Sequence, residues 1–304
     1  MPFTKAVGYW LFGLVMAQPI AIAIHGGAGN MTPENLPPDK AQQIEAYLRS
    51  VVEESYQLLS EGRLALEVVE IAVRRLEDAG WFDAGVGSYL NERGFIEMDA
   101  SIMDGKTRRT GAVAAVRGVR NPITLARLIM ERTPHVFIVG EGADSLARLW
   151  ALPPLRNEIP SLAPGVVTQG TVGAVALDQY GNLAAATSTG GIAGKKVSRV
   201  GDSPIIGAGT YAENGVIALS ATGHGEYFIR SVLTYDIAAR IRYAKMAPLT
   251  AIQSAFQERL ESIGGKGGVI AVSPEGEIFF HFNTSGMYRA GKDRTGRLTI
   301  GIFK

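Results

Sequence analysis

The sequence predicts an α+β fold in which two stacked, mainly antiparallel sheets are covered by helices on both outer faces. Three observations predict it. The elements run strands, helices, strands and then strands, helices, strands again, so helices sit inside each half of the chain. Helical segments come as consecutive pairs, 39–60 with 65–79 and 226–243 with 249–263, unlike the single crossover helices of βαβ repeats. Apolar runs in the second half are joined by tight polar turns at Asp178–Asn182 and Pro274–Gly276, the signature of hairpins.

From the N-terminus, Lys5 precedes an apolar run, Ala6 to Met16, and Val15-Met16-Ala17 suits a signal-peptidase cut after Ala17. The run is too short to cross a bilayer, and Pro19 punctuates it before a separate strand. Residues 1–17 therefore read as a secretory signal, and the chain from Gln18 as periplasmic or secreted. The other reading is an ordinary first strand on an uncleaved, cytoplasmic protein. PIAIAIHGGAG is a buried strand running into a glycine turn, and the second of the two following helices stops at Gly80. Residues 94–119 read as two strands around a turn, after which Asn121-Pro122 caps and opens a helix through Ile129 to Glu131. The strand HVFIV and a short helix ending near Leu152 follow, then a linker, 151–169, with four prolines and little periodicity. Beyond it lie the Asp178–Asn182 hairpin, further strands to Ser220, the second helix pair and the Pro274–Gly276 hairpin.

The chain has 304 residues, 46% hydrophobic and 19% charged, enough to bury a large core as a soluble globular protein. Thirty scattered basic residues against 29 acidic ones leave no charge to attract nucleic acid or an anionic membrane. Zero cysteines exclude disulfides, thiolate metal sites and a cysteine nucleophile, and four dispersed histidines argue against zinc. Glycine-rich stretches do not make a nucleotide site. Gly140-Glu141-Gly142-Ala143-Asp144-Ser145 has Ser at its third glycine position and no acidic residue placed for a ribose. Gly190 to Lys195 is one residue short of a P-loop, with Lys196 where Ser or Thr belongs. HGGAG marks close backbone packing, and His25 reads equally as a bonded core histidine or a functional one.

Hydroxyls at strand ends remain. Thr171 opens the strand GTVGAVALD, Thr187-Ser188-Thr189 ends its hairpin partner, and Ala221-Thr222-Gly223 ends another strand before a helix. Each taken alone is what a strand's liking for threonine produces. Arg199 and Asp202, three residues apart, are either a surface pair or a fork for a carboxylate and an anion for an ammonium, as a free α-amino acid head requires.

GTVGAVALDQYGNLAAATSTGG, SRVGDSPIIGAGTYA and SATGHGEYFIR, with HGGAG, FDAGVGS, EMDASIMDG and HVFIVGEGA, resemble the plant-type (type III) L-asparaginase/isoaspartyl peptidase family of N-terminal-nucleophile hydrolases, from Ile20 to Phe303. The resemblance implies a four-layer αββα sandwich, made as an inactive precursor and cut by itself between Gly170 and Thr171. An α chain, 18–170, and a β chain, 171–304, would stay together, commonly as a dimer of such heterodimers. The chemistry fits an N-terminal threonine: its hydroxyl needs a base, and the freed α-amine, with a pKa of about 7.7–8.0, supplies one.

By resemblance, Thr171 matches the nucleophile, Thr189 the threonine that tunes it, and Thr222 with the Gly223 N–H the oxyanion hole. Arg199 matches the residue holding the substrate α-carboxylate and Asp202 its α-ammonium, with Gly223 and Gly225 lining the pocket. Leu76, Glu77, Ala79, Phe82, Ala84 and Val86 match a loop whose backbone carbonyls hold a structural sodium in relatives; no other cofactor is implied. Two features depart from the family. Asp83 stands where Asn is usual; ionised beside the Thr171 amine, it would raise that pKa and shift activity to higher pH. The linker before Gly170 is shorter than is general, which would slow processing, visible on gels as one band becoming two.

The expected activity is hydrolysis of the side-chain amide of β-aspartyl dipeptides and L-asparagine, small substrates that share a free aspartyl head. The alternatives are a glycosylasparaginase, releasing an N-linked sugar, and an unprocessed, non-catalytic aspartate-binding relative.

Overall fold

The computed structural model describes residues 18–155 and 170–304; the segment 1–17 expected to be a signal and most of the linker lie outside the described residues. Strand β1 (Ala21–Gly29) is followed by helices α1 (Pro38–Ser60) and α2 (Ala65–Asp78), strands β2 (Met98–Asp104) and β3 (Thr110–Val116), helix α3 (Pro122–Arg132), strand β4 (Phe137–Val139) and helix α4 (Gly140–Leu149). After the linker come β5 (Val172–Leu177), β6 (Leu183–Thr189), β7 (Thr210–Glu213) and β8 (Ile217–Gly223). Helices α5 (Gly225–Ser231), α6 (Leu233–Ala244) and α7 (Pro248–Ala255) precede β9 (Gly267–Val272), β10 (Ile278–Phe282), β11 (Gly286–Lys292) and β12 (Leu298–Phe303).

The strands form an eight-stranded sheet, ordered β12-β11-β1-β5-β6-β2-β3-β4, and a four-stranded sheet, β10-β9-β8-β7. Every pairing is antiparallel except β3 with β4, where α3 carries the chain back as a crossover. Alternate side chains of the large sheet enter two cores. Ile22, Ile24, Val172, Ala174, Ala184 and Ala186 pack under Leu48, Val69, Val73 and Ile123 of the first three helices. Ala23, Val175, Leu177 and Ala185 join the second core, which runs through the small sheet to Phe228, Ile237, Ile252 and Phe256 on the other side. This is the αββα order of layers that the sequence predicts. Among the described residues no helix is long and apolar enough to cross a membrane.

Four local expectations are corrected. β1 does not end in a glycine turn: it takes in all three glycines, with a bulge between His25 and Ala28, because β11 keeps pairing with it as far as Gly29. The predicted helix 226–243 is two helices, broken where Val232 takes a left-handed φ of +48°. Tyr235 N–H donates to the Gly207 carbonyl, so a contact from the loop before β7 competes for the first turn of α6. The helix over 249–263 keeps its path but not its bonding pattern, passing after α7 into a π turn (Phe256–Leu260) and a short 3₁₀ turn. Asn121 precedes α3 without capping it. Its amide donates to Glu77 (3.0 Å), and the other Glu77 oxygen accepts the Ile123 N–H at 3.1 Å, so a neighbouring helix supplies the cap.

Candidate active site

Thr171 immediately precedes β5, and the register of β5 on β6 sets its surroundings. Val172 lies opposite Ser188 and Gly173 opposite Thr187, so Thr171 meets Thr189. Parity separates the two faces: Ser188 turns toward the helices, donating to Glu77 at 2.6 Å, while Thr187 and Thr189 turn with Thr171 toward the space between the sheets. The Thr171 hydroxyl donates to Thr189 Oγ1 at 3.1 Å, and the same oxygen accepts the Gly191 N–H at 3.0 Å. Both threonines are buried. Gly170 has φ +100°, and a β-carbon there would overlap the Gly27 backbone, so only glycine fits before the threonine.

His25, left open between core and functional readings, belongs to this site. One row across the large sheet aligns His25, Gly173, Thr187 and Ser101 on four neighbouring strands. The missing side chain at Gly173 makes room for His25 Nε2 to reach Ser220 of the facing sheet, at 2.9 Å. His25 Nδ1 bonds the Thr171 carbonyl at 3.0 Å. A carbonyl only accepts, so Nδ1 carries the proton; burial drives the imidazole pKa down to about 3, so the ring is neutral and Nε2 is the acceptor. Every hydroxyl behind it is thereby oriented. Ser220 donates to His25, Thr187 to Ser220 (2.7 Å) and Thr210 to Thr187 (2.6 Å), and Ser101 donates to the Ser203 carbonyl at 2.6 Å. Replacing His25 by Leu strands the Thr171 carbonyl and the Ser220 hydroxyl. In a Thr171→Ala background, urea unfolding should show a loss of about 2–6 kcal/mol, at about 1–3 for each stranded group. An unchanged midpoint would mean the chain of bonds is not formed.

Thr222 lies across the gap on β8, where its hydroxyl accepts the Ala28 N–H at 3.3 Å and keeps its own proton to donate. Gly170, Thr171, Asp83, Thr222 and Gly223 line one open cavity of about 530 Å³. Thr189 backs Thr171 from behind the wall.

Arg199, Asp202 and Gly225 form a second group, joined to the first by charge rather than by hydrogen bonds. Gly225 packs on Asp202, whose Oδ2 is buried with no partner among the described residues. Burial pushes the Asp202 carboxyl up to about 7 against the pull of Arg199, with Glu226 and Asp99 adding to the rise. The Arg199 fork is occupied on one edge: Nε and Nη2 donate to Glu226 at 2.8 and 2.7 Å. Sequence reading missed Glu226; an acidic residue in the first turn of a helix carries no mark of its partner. Asp83, also buried, accepts the Tyr89 N–H at 2.9 Å, and burial raises its carboxyl to about 7 despite Lys195. Below that pH it is protonated and matches the amide it replaces in shape and as a donor.

The segment after α2 folds back so that Gly85 lies against the Glu77 carbonyl and Gly87 against that of Phe82. The carbonyls of Leu76, Phe82 and Ala84 each accept one backbone N–H, from Ala79 (3.4 Å), Ala84 (2.8 Å) and Gly87 (3.1 Å), which leaves each a second lone pair. Among the described residues no three His, Cys, Asp or Glu side chains form a metal cluster.

The family described as Asparaginase matches this sequence over residues 17–161 and 156–302. The isoaspartyl peptidase of Salmonella typhimurium is 43% identical over 307 residues, covering 93% of this chain and 98% of the relative. The Escherichia coli isoaspartyl peptidase is 42% identical, with 93% and 96% covered. The isoaspartyl peptidase/L-asparaginase of Xenopus laevis is 42% identical over 300 residues, with 93% and 94% covered.

Proposed function

This chain belongs to the asparaginase family, and on that premise we propose that it is an isoaspartyl peptidase and L-asparaginase that activates itself by cutting between Gly170 and Thr171. It is a hydrolase of small substrates. The observation that carries the reading is the setting of Thr171: a glycine at φ +100° before it, its hydroxyl on Thr189 and its carbonyl on His25.

In the precursor, the Thr171 hydroxyl attacks the Gly170 carbonyl carbon, the Gly170–Thr171 amide bond breaks toward nitrogen, and water hydrolyses the resulting ester. That frees an α-carboxylate on Gly170 and an α-amine on Thr171. In the mature enzyme the amine takes the hydroxyl proton as Oγ1 attacks the side-chain amide of the substrate. Thr222 Oγ1 and the Gly223 N–H hold the oxyanion, Thr189 orients the nucleophile, and the proton passes to the departing amine or ammonia. Water, deprotonated by the same α-amine, then releases L-aspartate from the threonine ester. Arg199 and the unpartnered oxygen of Asp202 clamp the α-carboxylate and α-ammonium of the aspartyl head, with Gly225 making room between them.

The carbonyls of Leu76, Glu77, Ala79, Phe82, Ala84 and Val86 suit a sodium ion, which would hold the end of α2 against the loop bearing Asp83. The two chains stay together as a dimer of αβ pairs, and residues 1–17 direct export to the periplasm or beyond; size measurement and the N-terminus of the purified protein check these. The relatives' names favour dipeptides and asparagine over sugar-bearing asparagine. Intact-mass measurement of the purified protein tests the activation step: two chains are expected, the second beginning at Thr171. A single uncut chain that binds L-aspartate and turns over no amide would instead make it a binding protein.

A further inference from the structure

The aspartyl clamp occupies one end of the site, and the open cavity lies at the other. The turn Gly223-His224-Gly225 separates them: Gly225 abuts Asp202, whereas Gly223 abuts the backbone of Lys266. The register of β8 on β9 fixes this, because Gly223 pairs with Gly267 and His224 N–H donates to the Lys266 carbonyl at 3.1 Å. Lys266 is therefore held beside the oxyanion donors on the side away from Arg199 and Asp202. Asn283 ties its segment to the β10–β11 turn, accepting the Gly267 N–H at 2.9 Å and donating to the Gly265 carbonyl at 3.1 Å. This brings Thr284 and Ser285 to the same wall, next to Asn30 after the end of β1, whose Oδ1 accepts from the Ser285 hydroxyl at 3.4 Å. The ammonium of Lys266 is exposed and makes no ion pair among the described residues. Among the described residues it is the only lysine or arginine on the cavity wall.

We propose that Lys266, Thr284, Ser285 and Asn30 form a subsite for the free α-carboxylate of the amino acid leaving from a β-aspartyl dipeptide. The proposal rests on the hydrolase reading above and adds to it how the leaving group is recognised. Ammonia, the leaving group of asparagine, has no group to place there, and a cavity of about 530 Å³ is of a size that holds a ligand rather than ammonia alone. An amino acid leaving group carries one carboxylate, a short reach from the scissile nitrogen; Lys266 meets it with charge, and the Thr284 and Ser285 hydroxyls, which donate to the Gly286 carbonyl (2.9 Å) and to Asn30 Oδ1 (3.4 Å) in the free site, turn to it on binding. β-Aspartyl dipeptides with a free C-terminus are thereby preferred over the same dipeptides with that end amidated.

The test compares β-aspartyl-leucine with β-aspartyl-leucinamide on the processed enzyme. The wild type is expected to favour the free acid about three- to tenfold in kcat/KM, the range for one charge-assisted contact at a partly exposed site, and to lose part of that preference in high salt. Lys266→Ala should bring the ratio near one, Lys266→Glu should invert it, and Lys266→Arg should keep it. Equal rates on acid and amide in the wild type, or a ratio unmoved in Lys266→Glu, would overturn the subsite while leaving the hydrolase reading intact. A processed enzyme that cleaves neither dipeptide nor asparagine would overturn the reading beneath it.

Discussion

Thr171→Ala is expected to stay in one piece, with no fragment beginning at residue 171, and to hydrolyse no β-aspartyl substrate above background. On the proposed mechanism the hydroxyl is asked for twice, once to break its own peptide bond and once to attack substrate, so its loss removes both steps and the effect is total. Thr171→Ser keeps a hydroxyl and should process and turn over slowly. Gly170→Ala tests the first step alone: its β-carbon would meet the Gly27 backbone and disfavour φ +100°, so the uncut chain should persist for longer in a time course of mass spectra. Wild-type turnover by Thr171→Ala would place the nucleophile elsewhere.

Asp202→Asn is expected to lower kcat/KM by about 10²–10³, the cost of removing one partner from a buried charge pair. pH supplies a second readout on the unmutated enzyme. Burial holds the Asp202 carboxyl at about 7, above the ordinary carboxylate range, with Arg199 opposing the rise and Glu226 and Asp99 reinforcing it. An ammonium needs the ionised form. Affinity for L-aspartate, measured as competitive inhibition, should therefore fall about tenfold per unit as pH drops below about 7, and binding near pH 6 should release about one proton. The sign for unliganded stability is opposite. Because the folded state holds the proton more tightly than the unfolded one, Asp202 contributes stability that is full below its unfolded pKa and lost as pH rises through about 7. Affinity flat from pH 5 to 8 would remove Asp202 from the ammonium site.

Much of this was legible in the residues. Alternation in GTVGAVALD and the paired helical segments announce a stacked αββα arrangement, because burial on one or both faces imposes a period that composition cannot hide. Thr171, Thr189, Thr222, Arg199 and Asp202 stood out by motif and resemblance. Val232 did not, since a single left-handed residue leaves helical periodicity on either side unchanged. Glu77 did not announce itself as the cap of α3, because its partners Ile123 and Ser188 lie 46 and 111 residues away.

His25 shows the division most clearly. The sequence alone determined that a histidine sits at the end of a buried strand beside glycines, that a threonine follows a glycine after the linker, and which order of elements must pack. The tertiary structure decided that His25, Gly173, Thr187 and Ser101 fall in one row, that Ser220 faces them from the other sheet, and that Lys266 comes to the wall of the cavity beside Gly223. The physical reason is register. Which strands lie side by side, and at what offset, depends on side chains far apart in the chain, and a shift of one residue would turn every one of these groups to the opposite face.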